Sequence, residues 1–373
     1  MSRIVAGVLS LVVSLAALAQ TPEGGSPVSV SMVIEDSRGK RITSVRPEDF
    51  QAFEDGVERP VLSIIPETGP MDVGALVDTR TGVIPTLQSE AEAAAAFLRS
   101  VIRTGDLGFL VSYNTQVDVL QTPAEDPRLI ERSATRIPGY GRYVVAPQPR
   151  SIPLEPVPAP LPLPIPKPLP NTPPAARPLP PVPMPNRPRG AEALRGARLY
   201  DAVMLATDRF LVTENARNVM VILALSDDVN SAGTLEEALR ALKRNHVTAY
   251  VLQMEQKRPG IGAIISGLFR RSTAIRRDDY DIPHFFSGDD ERRIARLAEE
   301  TGGRMIKVGG PEKLSAAYAE IAEDISGRQI LTFRASPSDG NETRPRRLEI
   351  RTRIKGARVF AANAFYPETA RLP

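Results

Sequence analysis

The chain has no cysteine, no tryptophan and only two histidines, His246 and His284, among 373 residues. Without cysteine there is no disulfide framework, no thiol nucleophile and no thiolate metal site. Two histidines in unrelated contexts offer no metal-ligand spacing and few candidates for a general base near neutral pH. No Gly-x-Ser-x-Gly elbow and no glycine-rich phosphate loop occurs. Ser226-Asp227-Asp228 reads as a strand-end loop rather than a nucleophile with its base. Beyond the first twenty residues no apolar run is long enough to cross a bilayer. Charge of one sign is also lacking: the formal net charge is +3, which argues against a general nucleic-acid binder. The expectation is a protein that is not an enzyme.

What is present begins with an export signature. Arg3 precedes the short apolar core Ile4 to Leu15, and Ala17-Leu18-Ala19 forms a small-x-small cleavage site, so residues 1–19 read as a signal peptide cleaved after Ala19. The alternative is an uncleaved amino-terminal anchor. No cysteine follows the apolar core, so a lipoprotein anchor is excluded. The expected location is secreted or periplasmic.

The remaining chain changes rhythm twice. Residues 27–68 read as strands: Val28, Val30, Met32 and Ile34 alternate with smaller or polar neighbours, and "EDFQAFEDGVERPVLSIIP" reads as two short strands about the Asp55-Gly56 turn. Residues 70–327 alternate strand and helix. "MDVGALVDTRTG" is an apolar run ending on Asp78, and "NVMVILALSDD" is a second such run ending on aspartate. Helices are expected over Leu87 to Ile102, Arg128 to Thr135, Leu194 to Phe210, Leu235 to Arg244, Glu291 to Thr301 and Lys313 to Ile325. Gly302-Gly303 gives a helix stop. This alternation predicts an α/β fold with a mostly parallel central sheet and helices on both faces. Residues 328–367 return to strands, and a small β module is expected from the two chain ends.

Two insertions interrupt the α/β region. Residues 147–189 contain 19 of the 36 prolines, too many for helix or inner strand, so polyproline II is expected. This strip could dock in an aromatic-lined groove, cover the sheet edge, or be a spacer. Residues 256–288 join an apolar piece to Arg270, Arg271, Arg276 and Arg277. They could touch an anionic membrane surface, although packing on the domain with Asp278, Asp279 and Asp281 pairing the arginines is the simpler reading.

Several of these stretches together resemble the von Willebrand factor A (VWA) domain, and more closely the VWFA-related acidobacterial family. They are "RPEDFQAFEDGVERPV", "VGALVDTRTG", "GARLYDAV", "VILALSDD", "RLAEETGGRMIKV", "KLSAAYAEIAEDISGRQILTFR" and "RRLEIRTRI…NAFYP", in family order over nearly the whole mature chain. The resemblance implies a Rossmann-like sheet, a protein–protein interaction role as in adhesion modules, and a ligand site at the carboxyl edge called MIDAS. That motif uses Asp-x-Ser-x-Ser, a threonine on a second loop and an aspartate on a third to hold magnesium. Here Asp78 matches the first aspartate and Asp227 the last. Arg80 and Gly82 stand at the serines, and Ala197 stands at the threonine. Thr81 is a hydroxyl one residue out of phase.

The sequence therefore implies a degenerate MIDAS. A guanidinium about 4 Å from the cation position would cost roughly 4 kcal/mol per unit charge at an effective dielectric of 20. Arg80 is expected to stand in as a cation beside Asp78 and Asp227, whose mutual repulsion it would relieve. No cofactor is expected, with magnesium only if Asp78 and Asp227 retain a metal. The expected partner is a protein that binds at this edge, without nucleic acid. The alternatives are a magnesium-dependent adhesion module and an envelope scaffold that binds through the proline strip.

Overall fold

A computed structural model describes residues 25–79, 84–136, 197–212, 217–225, 228–254, 288–337 and 344–367, with only the backbone at 84–88. Residues 147–189 and 256–287, with Arg80, Thr81, Gly82, Asp227 and His284, lie outside the described residues.

The central sheet has six strands. In chain order these are β5 (Met71–Asp78), β6 (Leu107–Tyr113), β7 (Val117–Ala124), β8 (Arg217–Ala224), β9 (Thr248–Met254) and β10 (Met305–Val308). Their spatial order is β10-β9-β8-β5-β6-β7, parallel throughout except for β7, which pairs antiparallel with β6. All eight residues of β5 are buried, as a strand covered on both faces requires.

The two faces are separate cores. On one, Met71, Val73, Ala75 and Val77 pack against α1 (Ile84–Val101), α2 (Pro127–Ala134) and α6 (Leu314–Ser326). On the other, Leu76, Met220 and Ile222 pack against α3 (Leu199–Phe210), α4 (Leu235–Arg244) and α5 (Gly288–Glu299). Period-two alternation along the strands and 3.6-residue periodicity along the helices produce this division. Gly74 faces the second core because a Cβ there would lie 1.9 Å from Cζ of Phe109. The expected α/β class is what the structure holds.

The ends of the chain build the β module. Strands β1 (Pro27–Glu35), β4 (Val61–Pro66), β11 (Gln329–Arg334) and β13 (Arg358–Ala361) form one sheet in the order β13-β1-β11-β4. A second sheet, β14-β12-β2-β3, joins β2 (Phe50–Glu54) and β3 (Val57–Arg59) to β12 (Arg346–Thr352) and β14 (Ala364–Phe365). The Asp55-Gly56 turn has φ of +49° and +85°, the left-handed pair that suits a two-residue hairpin. Met32, Ile34, Phe50, Leu331, Phe333 and Leu348 fill the core of this module.

One sequence expectation needs correction. Helix α3 starts at Leu199, not Leu194, because the Arg198 N–H is used by the Asn114 carbonyl at 2.8 Å. His246 adopts φ +49°, the left-handed turn that ends α4 one residue after Asn245 and leads into β9. Among the described residues, no helix is long and apolar enough to cross a membrane.

Candidate functional site

Strand order reverses at β5: the chain continues to β6 on one side and later places β8 on the other. The carboxyl ends of β5 and β8 therefore flank the crevice where open α/β sheets bind ligands. Asp78 closes β5 there and is fully buried, with its Oδ2 accepting the Leu225 N–H from the end of β8 at 3.3 Å. Next to it, the Thr79 N–H donates to the Tyr113 carbonyl at 2.9 Å, and Asn114 Nδ2 donates to Thr79 Oγ1 at 2.9 Å. Tyr113 Oη donates to the Leu223 carbonyl at 2.9 Å, tying β6 to β8 across the end of β5.

Ala197 is also brought to this edge. Its methyl is fully buried in the second core, while its carbonyl accepts the N–H groups of Val229 and Asn230, each at 3.1 Å. Asp228, the second aspartate of "SDD", braces this loop. Its Oδ1 accepts the Tyr200 N–H at 3.2 Å and its Oδ2 the Ser231 N–H at 3.1 Å. Asp201, from "LYDA", receives the N–H groups of Ala232 and Gly233, both at 3.0 Å, and pairs with Arg198 Nε at 2.9 Å. The structure thus brings Asp78 and Ala197 to one edge, while Arg80, Thr81 and Asp227 lie outside the described residues.

One residue of this edge was missed by sequence reasoning. Glu90, on α1, is fully buried and neither carboxyl oxygen has a hydrogen-bond partner. Burial, followed by the charge of Asp78, pushes its pKa up to about 8. Tyr318 of α6 has a buried hydroxyl that is likewise without a partner, and its ring stacks on Phe97 at 5.0 Å between centroids. Burial and then the charge of Glu90 raise the Tyr318 pKa. A signal for Glu90 exists in the sequence: it precedes Ala94 by one helical turn and Leu98 by two, so it lies on the buried stripe of α1. Among the described residues, no three Asp, Glu, His or Cys side chains converge as a metal site would need.

No family model and no curated protein matches the chain. Among solved structures it is similar to proximal thread matrix protein 1 from the mussel byssus, at 8% identity and a TM-score of 0.42, with 73% of this chain covered. It spans only 50% of that mussel chain, about half its length. It is also similar to a von Willebrand factor type A structure from Catenulispora acidiphila, at 9% identity and TM-score 0.41, covering 91% of this chain and 74% of the other. A third is the conserved hypothetical protein BatB from Bacteroides thetaiotaomicron, at 14% identity and TM-score 0.40, covering 68% and 98%.

Proposed function

We propose that the chain is an exported, non-catalytic protein–protein interaction module that engages its partner at the carboxyl edge of the central sheet without a metal. The observation that carries the metal-free reading is Ala197: a fully buried methyl stands where the resemblance calls for a hydroxyl ligand. Asp78 supports it, since one of its oxygens already accepts an amide. With Arg80 and Gly82 at the serine positions, the donor set does not fit an octahedral oxygen shell for magnesium. Arg80 serves instead as a built-in cation beside the two aspartates.

Calorimetric titration of the mature protein with magnesium chloride tests this. The expected result is no saturable heat, and partner capture from the native host that is the same in EDTA and in magnesium. Saturable magnesium binding would establish the alternative, a metal-dependent adhesion module using Asp78 and Asp227. Loss of capture on deleting residues 147–188, with carboxyl-edge variants unaffected, would move the contact to the proline strip. Amino-terminal sequencing of the exported protein checks export, with a start at Gln20 expected.

A further inference from the structure

An edge strand presents a row of unpaired amides and carbonyls, and folded chains guard such edges with charge, proline, irregular pairing or brevity. Among the described residues the three sheets end in six edge strands. Five of them are guarded. Strand β14 has two residues, and β3 has three, of which Glu58 and Arg59 are charged. Strands β10 and β13 have four each and carry Lys307 and Arg358. Strand β7 carries Asp118 and Pro123, and its register with β6 shifts twice.

Strand β4 differs. Its six residues, Val61–Pro66, include no charge, and proline stands only at its last position. Among the described strands it pairs with β11 alone. A register shift at Thr332 and Phe333 marks its start and leaves Ser63 to Pro66 in regular register. Just beyond them the Glu67 N–H donates to the Arg328 carbonyl at 3.0 Å. Hydrogen-bonded pairs alternate along an antiparallel ladder. Ile65 and Ser63 therefore also turn their backbone groups to β11, and Ile64 turns its N–H and carbonyl to the open side. The side chains of Val61 and Ile64 pack on the core of the module. Leu62 and Ile65 are 41% and 53% exposed.

This edge fits a second copy of itself. Two antiparallel edges related by a twofold axis set the same donors and acceptors against one another, so the contact is self-complementary and closes at two chains. Like charges facing each other across a strand pair would oppose it, and β4 brings none. The charges that flank it are matched within the chain: Arg59 Nε pairs with Glu54 at 2.8 Å, and Glu67 accepts the Ser31 hydroxyl at 2.6 Å with Arg328 beside it at 3.4 Å. We propose that β4 pairs antiparallel with β4 of a second copy, joining two four-stranded sheets of the β module into one continuous sheet. A strand of this length spans roughly 20 Å, and one such pair buries less than the roughly 1,600 Å² of a stable interface, so the dimer is a weak one. The guarded edges do not extend it further. The proposal concerns the β module and does not rest on the function proposed for the carboxyl edge.

Sedimentation velocity of the full mature chain from about 1 to 200 µM tests this, since a weak dimer forms by mass action over such a range. A reversible shift from monomer to dimer is expected. Ile65→Lys, at an exposed position, should raise the dissociation constant at least tenfold, and Leu62→Lys repeats the test should that variant fail to fold. Ile64→Pro removes the outward N–H and leaves the ladder to β11 intact, so it should weaken the dimer in the same way. Val119→Lys, on the guarded edge β7, should leave the dissociation constant unchanged. A chain that stays monomeric throughout would overturn the proposal, and so would a dimer indifferent to the β4 variants. A monomer whose β4 amides gain protection from hydrogen exchange only in host extract would give the edge to a foreign strand and overturn it as well.

Discussion

The two ends of the central sheet are held by different kinds of bond. At the amino end, ion pairs join residues far apart in the chain. Glu35 of β1, nearly fully buried, meets Arg41 Nη1 at 2.7 Å, Arg304 Nη1 at 2.9 Å and Arg358 Nη2 at 3.5 Å. Asp324 of α6 takes Arg304 Nε at 2.7 Å and also pairs with Arg41. These contacts fasten the β module to the α/β layer. At the carboxyl end the bonds are mostly amide-to-side-chain and short in range, such as those of Asp228 and Thr234. There the buried charge-bearing group Glu90 has no partner at all. Charge is neutralised by ion pairs at one end and, at Glu90, by a retained proton at the other. The free energy of removing a charge should therefore have opposite signs at the two ends.

The largest effect is expected at the amino end. Arg304→Met would leave Glu35 and Asp324, exposed by 1% and 2%, to share Arg41, with only the mostly exposed Arg358 besides it at Glu35. Breaking one side of a buried ion pair costs about 3–5 kcal/mol, because a buried charge is left uncompensated. Urea denaturation at pH 7 should show that loss as a lower midpoint with an unchanged m-value. A loss below about 1 kcal/mol, the range of exposed pairs, would mean that the seam is held by its apolar contacts instead.

Glu90→Gln probes the carboxyl end, with the opposite sign. The Glu90 carboxyl stays protonated in the folded chain up to about 8, whereas its ordinary value is 4.5. Between these values the folded state keeps a proton that the unfolded state has lost. Stability attributable to Glu90 therefore falls as pH rises through that window, by at most about 1.4 kcal/mol per pH unit, and levels off above it. Glutamine resembles the protonated acid and does not titrate. Near pH 5 variant and wild type should be nearly equal in stability. At pH 8 the variant should be the more stable by up to about 4 kcal/mol, the linkage accumulated over about three pH units. Denaturation curves at both pH values check this, and a variant less stable than wild type at pH 8 would show that Glu90 is held by a favourable interaction.

The same contrast explains what could be read from the sequence. Bonds between near neighbours leave local marks: the apolar run ending on Asp78, the Asp55-Gly56 hairpin, and Gly302, which takes φ +84° after α5. Periodicity gave the helices, with α4 spanning Leu235–Arg244 as expected. The seam was not legible. Arg304 reaches Glu35 only once the two ends of the chain share a module, and no local pattern distinguishes that arginine from its many exposed counterparts. Glu90 shares the buried stripe of α1 with Ala94 and Leu98, and a single acidic residue among alanines reads as solvent-facing unless its register is checked. Of the candidate site, Asp78 stands at the edge where the strand pattern puts it. Ala197 joins it through a backbone turn over the Asn114 carbonyl, which no side-chain pattern announces.

The smallest expected effect tests whether the carboxyl end is held locally. Thr234 caps α4: its Oγ1 accepts the Glu237 N–H at 3.2 Å, and Glu237 Oε2 accepts the Thr234 N–H at 2.9 Å, the reciprocal pair of a capping box. The loop before it is held by Asp201 and Asp228, so several short bonds share the task of fixing the chain at this edge. Thr234→Ala removes the cap hydroxyl from an exposed helix start, where water can take over part of the lost bonding. A cost of about 1 kcal/mol is expected, well below that of Arg304→Met, and the pH dependence that Glu90 confers should be untouched. Bonds of this kind are replaceable one at a time, whereas two buried carboxylates that lose a shared arginine cannot turn to water. A loss from Thr234→Ala as large as that from Arg304→Met would remove the distinction between the two ends, since it would mean that the short-range bonds of the carboxyl edge act as one cooperative unit.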